Sequence, residues 1–405
     1  MIETWKKILL KDACKVFADG DWIESKDQSS DGIRLVQTGN IGFGYFKDKE
    51  DKSRYISDET FFRLKCTEIL PGDLLVSRLP DPVGKSCIIP EINSKMITGV
   101  ECTIIRPKDN LSSEFLCYYQ MSNQYLNDVQ SGVSGATRQR ISRKNLGLIE
   151  IPLPPLPEQV RIVNTLNEAF AVIAKAKANA EQNLKNAKEL FESYLQGVFE
   201  NKGEDWEAKT LGEVYDVRDG THDSPKYQEE GFPLITSKNL KKDLLNYDNV
   251  NYISEQDYIN INKRSKVDKG DILFAMIGTI GNPVVIQDEP DFAIKNVALF
   301  KVPKEQNSYF LKYYLDAKST IDKMMGDAKG TTQKFVGLGY LRGFKILLPP
   351  LKEQQTIVKK LDALSAETKK LEAIYQQKIN DLEELKKSVL QKAFSGDLKT
   401  DKLCV

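Results

Sequence analysis

Histidine is almost missing from this chain of 405 residues: there is one, His222. One imidazole cannot build a His-rich zinc cluster, and it leaves no second His-based catalytic site. Within GTHDSP it reads as a loop residue. Cysteine is sparse and scattered, at 14, 66, 87, 102, 117 and 404. No pair has CxxC spacing, so neither a zinc site nor a redox motif is expected, and reduced, buried thiols in a cytoplasm fit best. No GxxxxGK[ST] loop exists, which argues against a nucleotide-driven motor. No Asn-Pro-Pro-aromatic stretch of the kind used by amino-methyltransferases occurs either. The nearest approach to a nuclease pattern is Pro290-Asp291 followed by Asp316-Ala317-Lys318. It fails on context, because YFLKYYLDAK reads as helix where a strand is needed. Long apolar runs are lacking too. The best candidate, Ile272 to Ile286, is broken by Gly278, Gly281, Asn282 and Pro283, so no membrane span is expected. The opening MIETWKKILLKDACK lacks the apolar stretch of a signal peptide, and none is expected. Net charge is zero, with 58 basic and 58 acidic residues. That excludes a uniformly basic protein but leaves room for a local basic patch.

What is present is a repeat. LPPLPEQ at 153–159 returns as LPPLKEQ at 348–354, an offset of 195. The match widens to IPLPPLPEQVRIVNTLN against ILLPPLKEQQTIVKKLD, and SYLQGVF (193–199) meets SVLQKAF (388–394) at the same offset. A gap-free match of that length suggests a rigid element, and helix is the natural reading. Pro154 and Pro155 hold an extended lead-in, because a residue before proline avoids the α region. Pro157 suits the first helical position, and Glu158 and Glu353 suit the positive end of the helix dipole. Long helices are therefore expected over 151–200 and 346–405. Steps of four and three place Ile162, Leu166, Ile173 and Leu190 on one seam, through Ala169, Ala176, Ala180, Ala187 and Tyr194. The second seam holds Ile357, Leu361, Leu371, Leu382 and Leu385. Asn183 and Lys378 interrupt the two seams at the same place. An Ala-rich face suits a Leu-rich one, so the spacing predicts that the two helices pair as a coiled coil. The alternative is that each amphipathic helix packs on its own domain.

A chain of this length exceeds one ordinary core. The repeat leaves two blocks, 1–150 and 201–345, which echo each other: GDLLVSR (72–78) with GDILFAM (270–276), EFLCYYQ (114–120) with YFLKYYL (309–315), and SGATRQRIS (134–142) with KGTTQKFVG (329–337). Short apolar runs bounded by Gly, Pro and Asp make both blocks mixed α+β. Candidate contact residues fall in three places. The polar turns LVQTGNIGFG and LITSKNL supply Thr38, Asn40, Lys238 and Asn239. Arg78 closes GDLLVSR. The Gly-Thr-basic loop supplies Thr137, Arg138, Gln139, Arg140, Arg143 and Lys144, and its second copy supplies Thr331, Thr332, Gln333 and Lys334. Between Val129 and Ile149 no acidic residue occurs. Arg offers bidentate contacts to guanine or phosphate, Gln can read adenine, and Ser or Thr bonds phosphate. A single such loop would read as a solvated basic loop; its recurrence favours a contact surface.

Two dissimilar blocks, each ending in a Gly-Thr-basic loop and then LPPLxEQxxIV on a long helix, resemble the specificity subunit of type I restriction–modification systems. The resemblance spans the whole chain. It implies two target-recognition domains (1–150 and 201–345), each followed by a long helix (151–200, and 346–405 with the tail), the helices pairing antiparallel. It implies a non-catalytic, cytoplasmic protein in which each domain reads one half of a split site in double-stranded DNA and the helices fix the gap. It implies two modification subunits carrying S-adenosylmethionine, restriction subunits using ATP and Mg, and no cofactor or metal on this chain. Two departures stand out: Lys352 replaces Pro157, and TRQ in the first loop becomes TQK in the second. The competing classes are a coiled-coil adaptor or scaffold without sequence-specific DNA binding, and a metal-dependent nuclease.

Overall fold

The computed structural model describes residues 5–80, 82–135, 138–201 and 203–395. Thr137 therefore lies outside the described residues. The chain separates into two compact units, Met1–Ala180 with Lys378–Val405, and Glu181–Gln377. Each unit holds one of the two blocks, the first half of the helix that follows it, and the second half of the other helix.

In the first unit, Leu74–Ser77 is LLVS, buried at every position. Such a run reads as continuously apolar because both faces of its sheet are covered. Side chains alternate across a strand, and here the two sets enter different cores. Leu74, Val76 and Ile105 pack with Phe115, Tyr119 and Tyr125, whereas Leu75, Cys87, Cys102 and Ile104 pack with Val36, Ile41 and Met96. The sheet is antiparallel, in the order Cys14–Asp19, Cys102–Pro107, Leu74–Ser77, Ser86–Ile88. A second sheet pairs Ile33–Val36 with Arg54–Ile56 antiparallel and with Met96–Thr98 parallel. A two-stranded ribbon, Lys6–Leu9 with Glu150–Leu153, leads into the first long helix.

The second unit repeats this plan. Its four-stranded sheet runs Asp216–Asp219, Val297–Lys301, Ile272–Ala275, Gly281–Val285. Ile272, Phe274, Ala298 and Phe300 face one core, and Leu273, Ala275, Val297 and Leu299 face another. Phe232–Ile235 pairs antiparallel with Asn251–Ile253 and parallel with Ala293–Ile294. The ribbon Glu207–Thr210 with Lys345–Leu348 leads into the second long helix. The echo in sequence is thus an internal structural repeat, and the α+β reading of both blocks holds.

The long helices are Leu156–Glu200 and Leu351–Ser395, 45 residues each. They pair antiparallel within each unit. In the first, Ile162, Val163 and Leu166 share a core with Leu390, Ala393 and Phe394, and Lys177 bonds Glu383 at 2.6 Å. In the second, Leu195 shares a core with Val358 and Leu361. Ile162, Leu166, Ile173 and Leu361 are buried as the seam requires, while Ile357 and Leu382 are half-buried. Three seam assignments are corrected: Leu190, Leu371 and Leu385 are 51%, 37% and 48% exposed. The reason is the phase of one of the two seam positions. Leu166, Ile173, Ala180 and Ala187, and Leu361, Thr368, Leu382 and Val389, keep the seven-residue spacing and are buried or half-buried. The other position falls one residue later than the seam placed it, at Leu184 and Phe191 in the first helix and at Glu372 and Ile379 in the second. Asn183 and Lys378 are left in solvent.

Candidate nucleic-acid interface

One end of the first four-stranded sheet gathers the loops singled out in the sequence. Strand Cys14–Asp19 leaves the sheet there through Gly20, and Leu74–Ser77 leaves through Arg78. Gly20 is a close approach: a Cβ would stand 2.4 Å from the carbonyl oxygens of Thr98 and Gly99. Asp21 N donates to Thr98 O, and Val100 N donates back to Asp21 O. The 38–40 turn reaches the same rim, since Gly99 N donates to Val36 O. The basic loop is tied there as well. Val133–Ser134 pairs with Arg140–Ile141 as a hairpin, and Ile141 N donates to Arg78 O. Gly135, at φ 103, makes the turn, because a side chain there would strike Arg138 O.

The second unit builds its rim from equivalent positions. Gly220 crowds Ile294 O, Thr221 N donates to Ile294 O, and Asn296 N donates to Thr221 O. The loop at 329–335 closes with reciprocal bonds between Lys329 and Phe335. Gly330 has φ 98 and crowds Gln333 O. Val336 N donates to Met276 O, as Ile141 N does to Arg78 O. Arg138-Gln139 and Gln333-Lys334 therefore sit on the same backbone scaffold despite their different side chains.

The rim sorts the candidates by whether their polar atoms are free. Gln139, Arg140, Lys144, Thr331, Thr332, Gln333 and Lys238 are exposed. Arg138 and Arg143 are exposed but face carboxylates, Glu101 at 3.6 Å and Asp19 at 3.7 Å. Lys334 is exposed and donates to Met325 O at 3.1 Å. Thr38 is half-buried. Three further candidates are engaged within the protein. Asn40 accepts from Gln37 N and donates to Lys47 O; Asn239 accepts from Thr236 N and donates to Asn246 O. Both amides brace their turns. Arg78 has a side chain only 6% exposed, donates to Val100 O and lies 3.4 Å from Asp19. It organises the rim from beneath. The thiols behind it are inert, since burial pushes Cys87 up to about 12 and Cys102 and Cys117 up to about 11. Among the described residues no group of three or more His, Cys, Asp or Glu could hold a metal ion.

The repeated LPPLxEQ motif has a structural role that its sequence did not disclose. Gln159 and Gln354 are fully buried. Gln159 Oε1 accepts from Ser112 N at 2.8 Å, and its Nε2 donates to Asn110 O and Pro154 O at 2.9 and 2.8 Å. Gln354 Oε1 accepts from Asn307 N at 3.0 Å, and its Nε2 donates to Pro349 O and Gln306 Oε1 at 2.9 and 2.8 Å. Ser112 and Asn307 cap the short Tyr-rich helices, Ser113–Gln120 and Ser308–Asp316. Each glutamine thus fastens the start of a long helix to the globular part before it. Tyr118 on Asn167, and Tyr313 on Asp362, add a second tie about two turns further along. Glutamine at a helix start looks like any solvated polar residue, so the only available signal was its recurrence.

Comparison with known proteins agrees with this geometry. A family described as the type I restriction modification DNA specificity domain matches twice, over residues 2–186 and 203–384. The EcoKI type I restriction enzyme specificity subunit of Escherichia coli (strain K12) is 25% identical across 91% of this chain and 83% of its own length. The putative MjaX type I restriction enzyme specificity subunit of Methanocaldococcus jannaschii is 25% identical across 98% of this chain and 94% of its own. A chain from a solved type I R-M system superposes with a TM-score of 0.78 at 20% identity, covering 98% of this chain and 99% of that one. The HsdS subunit from Thermoanaerobacter tengcongensis superposes with a TM-score of 0.67 at 21% identity, covering 98% of each. These two share the fold.

Proposed function

The chain belongs to the type I restriction modification DNA specificity family, and from that premise we propose that it is the subunit that gives a type I complex its DNA sequence. The observation that carries the reading is the duplicated rim: the same hairpin, on the same strand end, in both units. Each rim reads one half of a bipartite site in double-stranded DNA, with exposed Arg, Lys, Gln and Thr side chains meeting phosphates and base edges. A duplicated reader suits a split site as a two-fold protein suits a palindrome. The paired helices set the unspecified gap and dock two modification subunits, which supply S-adenosylmethionine-dependent methylation. Restriction subunits, using ATP and Mg, join them for cleavage. This chain contributes recognition, holds no cofactor and performs no catalysis, and it works in the cytoplasm. Membership of a DNA-specificity family favours this reading over a scaffold without a DNA role.

The test is methylation-site sequencing of DNA from cells that carry this chain with its modification subunits. A bipartite motif that disappears when this chain is deleted supports the reading. Methylation that persists without the chain, or a motif in one uninterrupted piece, would reject it.

A further inference from the structure

The backbone bonds of the two rims match at a pair of positions that no motif marked. Gly20-Asp21-Trp22 and Gly220-Thr221-His222 make the same turn. Gly20 N donates to Cys102 O and Gly220 N to Val297 O, and the next residue of each makes the reciprocal bonds described above. Trp22 and His222 therefore occupy equivalent places, one in each reader. Both are aromatic and both stand out from the protein, Trp22 at 69% exposure and the His222 side chain at 59%.

Their polar atoms are already used. Trp22 Nε1 donates to Glu24 Oε1 at 3.3 Å. The His222 ring is bonded at both nitrogens, Nδ1 to Asn296 Oδ1 at 2.8 Å and Nε2 to Asp219 Oδ2 at 2.9 Å. Asn296, whose own N–H donates to Thr221 O, is set in the left-handed region, φ 55. Each ring is thus held in place and offers a face, not a hydrogen-bonding edge. Asp19, three residues before Trp22, is the carboxylate beside Arg78 and Arg143, and Asp219 holds the same place before His222. The rings share the rim with the basic hairpins. What singles out these two rings is their place: each stands on the rim that carries a basic hairpin, where a duplex held by the hairpin would cover its face.

We infer that Trp22 and His222 are paired DNA-contact positions, one for each half-site, pressing an aromatic face against apolar parts of the duplex: deoxyribose carbons or a thymine methyl. This rests on the specificity reading above and extends it to two residues outside the loops identified from sequence.

The experiment uses the full chain assembled with its modification subunits and a duplex bearing the motif methylated in wild-type cells. Trp22→Ala is expected to weaken binding about tenfold, the scale of one buried aromatic contact, and Trp22→Phe to keep most of the affinity. His222→Ala should act likewise on the other half, and His222→Phe, which keeps the face and loses both ring hydrogen bonds, should preserve binding. Trp5 and Trp206 pack against the cores. The change in tryptophan emission on adding the duplex should therefore shrink in Trp22→Phe. Replacing thymine by deoxyuridine along each half-site separates the two contacts. A loss seen in wild type but not in Trp22→Ala identifies a methyl group, and no loss anywhere identifies the sugar. If wild type binds with the expected salt dependence but both alanine variants bind as tightly, the inference is wrong and the specificity reading stands. If wild type has no methylated motif at all, both fall.

Discussion

Arg140 and Lys144 stand in solvent with no ion pair among the described residues, while Arg138 and Arg143 face carboxylates at more than 3.5 Å. Exposed pairs of that length contribute little, so these cations can exchange their carboxylates for phosphates at small loss. Replacing Arg138, Arg140 and Arg143 by Ala should weaken DNA binding and flatten its salt dependence, by roughly one unit of log–log slope for each phosphate left without its cation. Lys334→Ala should do the same through the other half-site, with a smaller change. Binding titrations between low and moderate salt measure both, and unchanged affinity with unchanged slope would remove the hairpins from the interface. At this scale the sequence was informative about charge and silent about bonding partners. The acid-free stretch from Val129 to Ile149 marked the first hairpin. Nothing marked Asn40, Asn239 and Arg78 as internal braces, because a residue type shows what it can bond and not which neighbour the fold supplies. Trp22 was inconspicuous for the same reason: an isolated tryptophan reads as core until its exposure is known.

The long helices were legible in number and nearly in extent, because an offset kept without a gap from 151 to 199 admits few other elements. Their buried faces were less so, since spacing alone does not choose between neighbours such as Lys378 and Ile379. The distinction makes a prediction. Ile379, only 8% exposed, should lose about 2–4 kcal/mol on change to Ala, whereas Leu385→Ala should stay within about 0.5 kcal/mol. Urea unfolding decides it; equal losses would return Leu385 to the seam. The joints behave differently from the seams. Gln159 and Gln354 each satisfy one backbone N–H and the carbonyl oxygen of a buried proline, Pro154 or Pro349. Removing the amide leaves those groups stranded at ~1–3 kcal/mol apiece, so Gln159→Ala or Gln354→Ala should destabilise the protein by about 3 kcal/mol or more. Gln→Glu should do nearly the same, since a carboxylate cannot donate to the two acceptors each Nε2 serves. A Gln159→Glu or Gln354→Glu variant unfolding at the wild-type urea concentration would show that the joint does not depend on that donor. Destabilisation here, without direct change at either rim, is what separates a joint from a reader.

The whole molecule joins two readers to one pair of helices. At about 1.5 Å per residue each 45-residue helix is about 68 Å long. Four residues inserted near Ala180 add ~6 Å and return the seam to within ~40° of its face. At ~3.4 Å per base pair the gap should widen by about one or two pairs with both half-sites kept. Two inserted residues turn the seam by ~200° and should disrupt pairing instead. A four-residue variant that methylates the original motif with its original gap would make the helices scaffolding and not a ruler. The decisive measurement is the methylated motif after residues 201–345 are exchanged for the corresponding block of a related subunit. With two independent readers, one half of the motif changes, and the other half and the gap remain. A motif changed in both halves, or in neither, would contradict a molecule built from two independent readers.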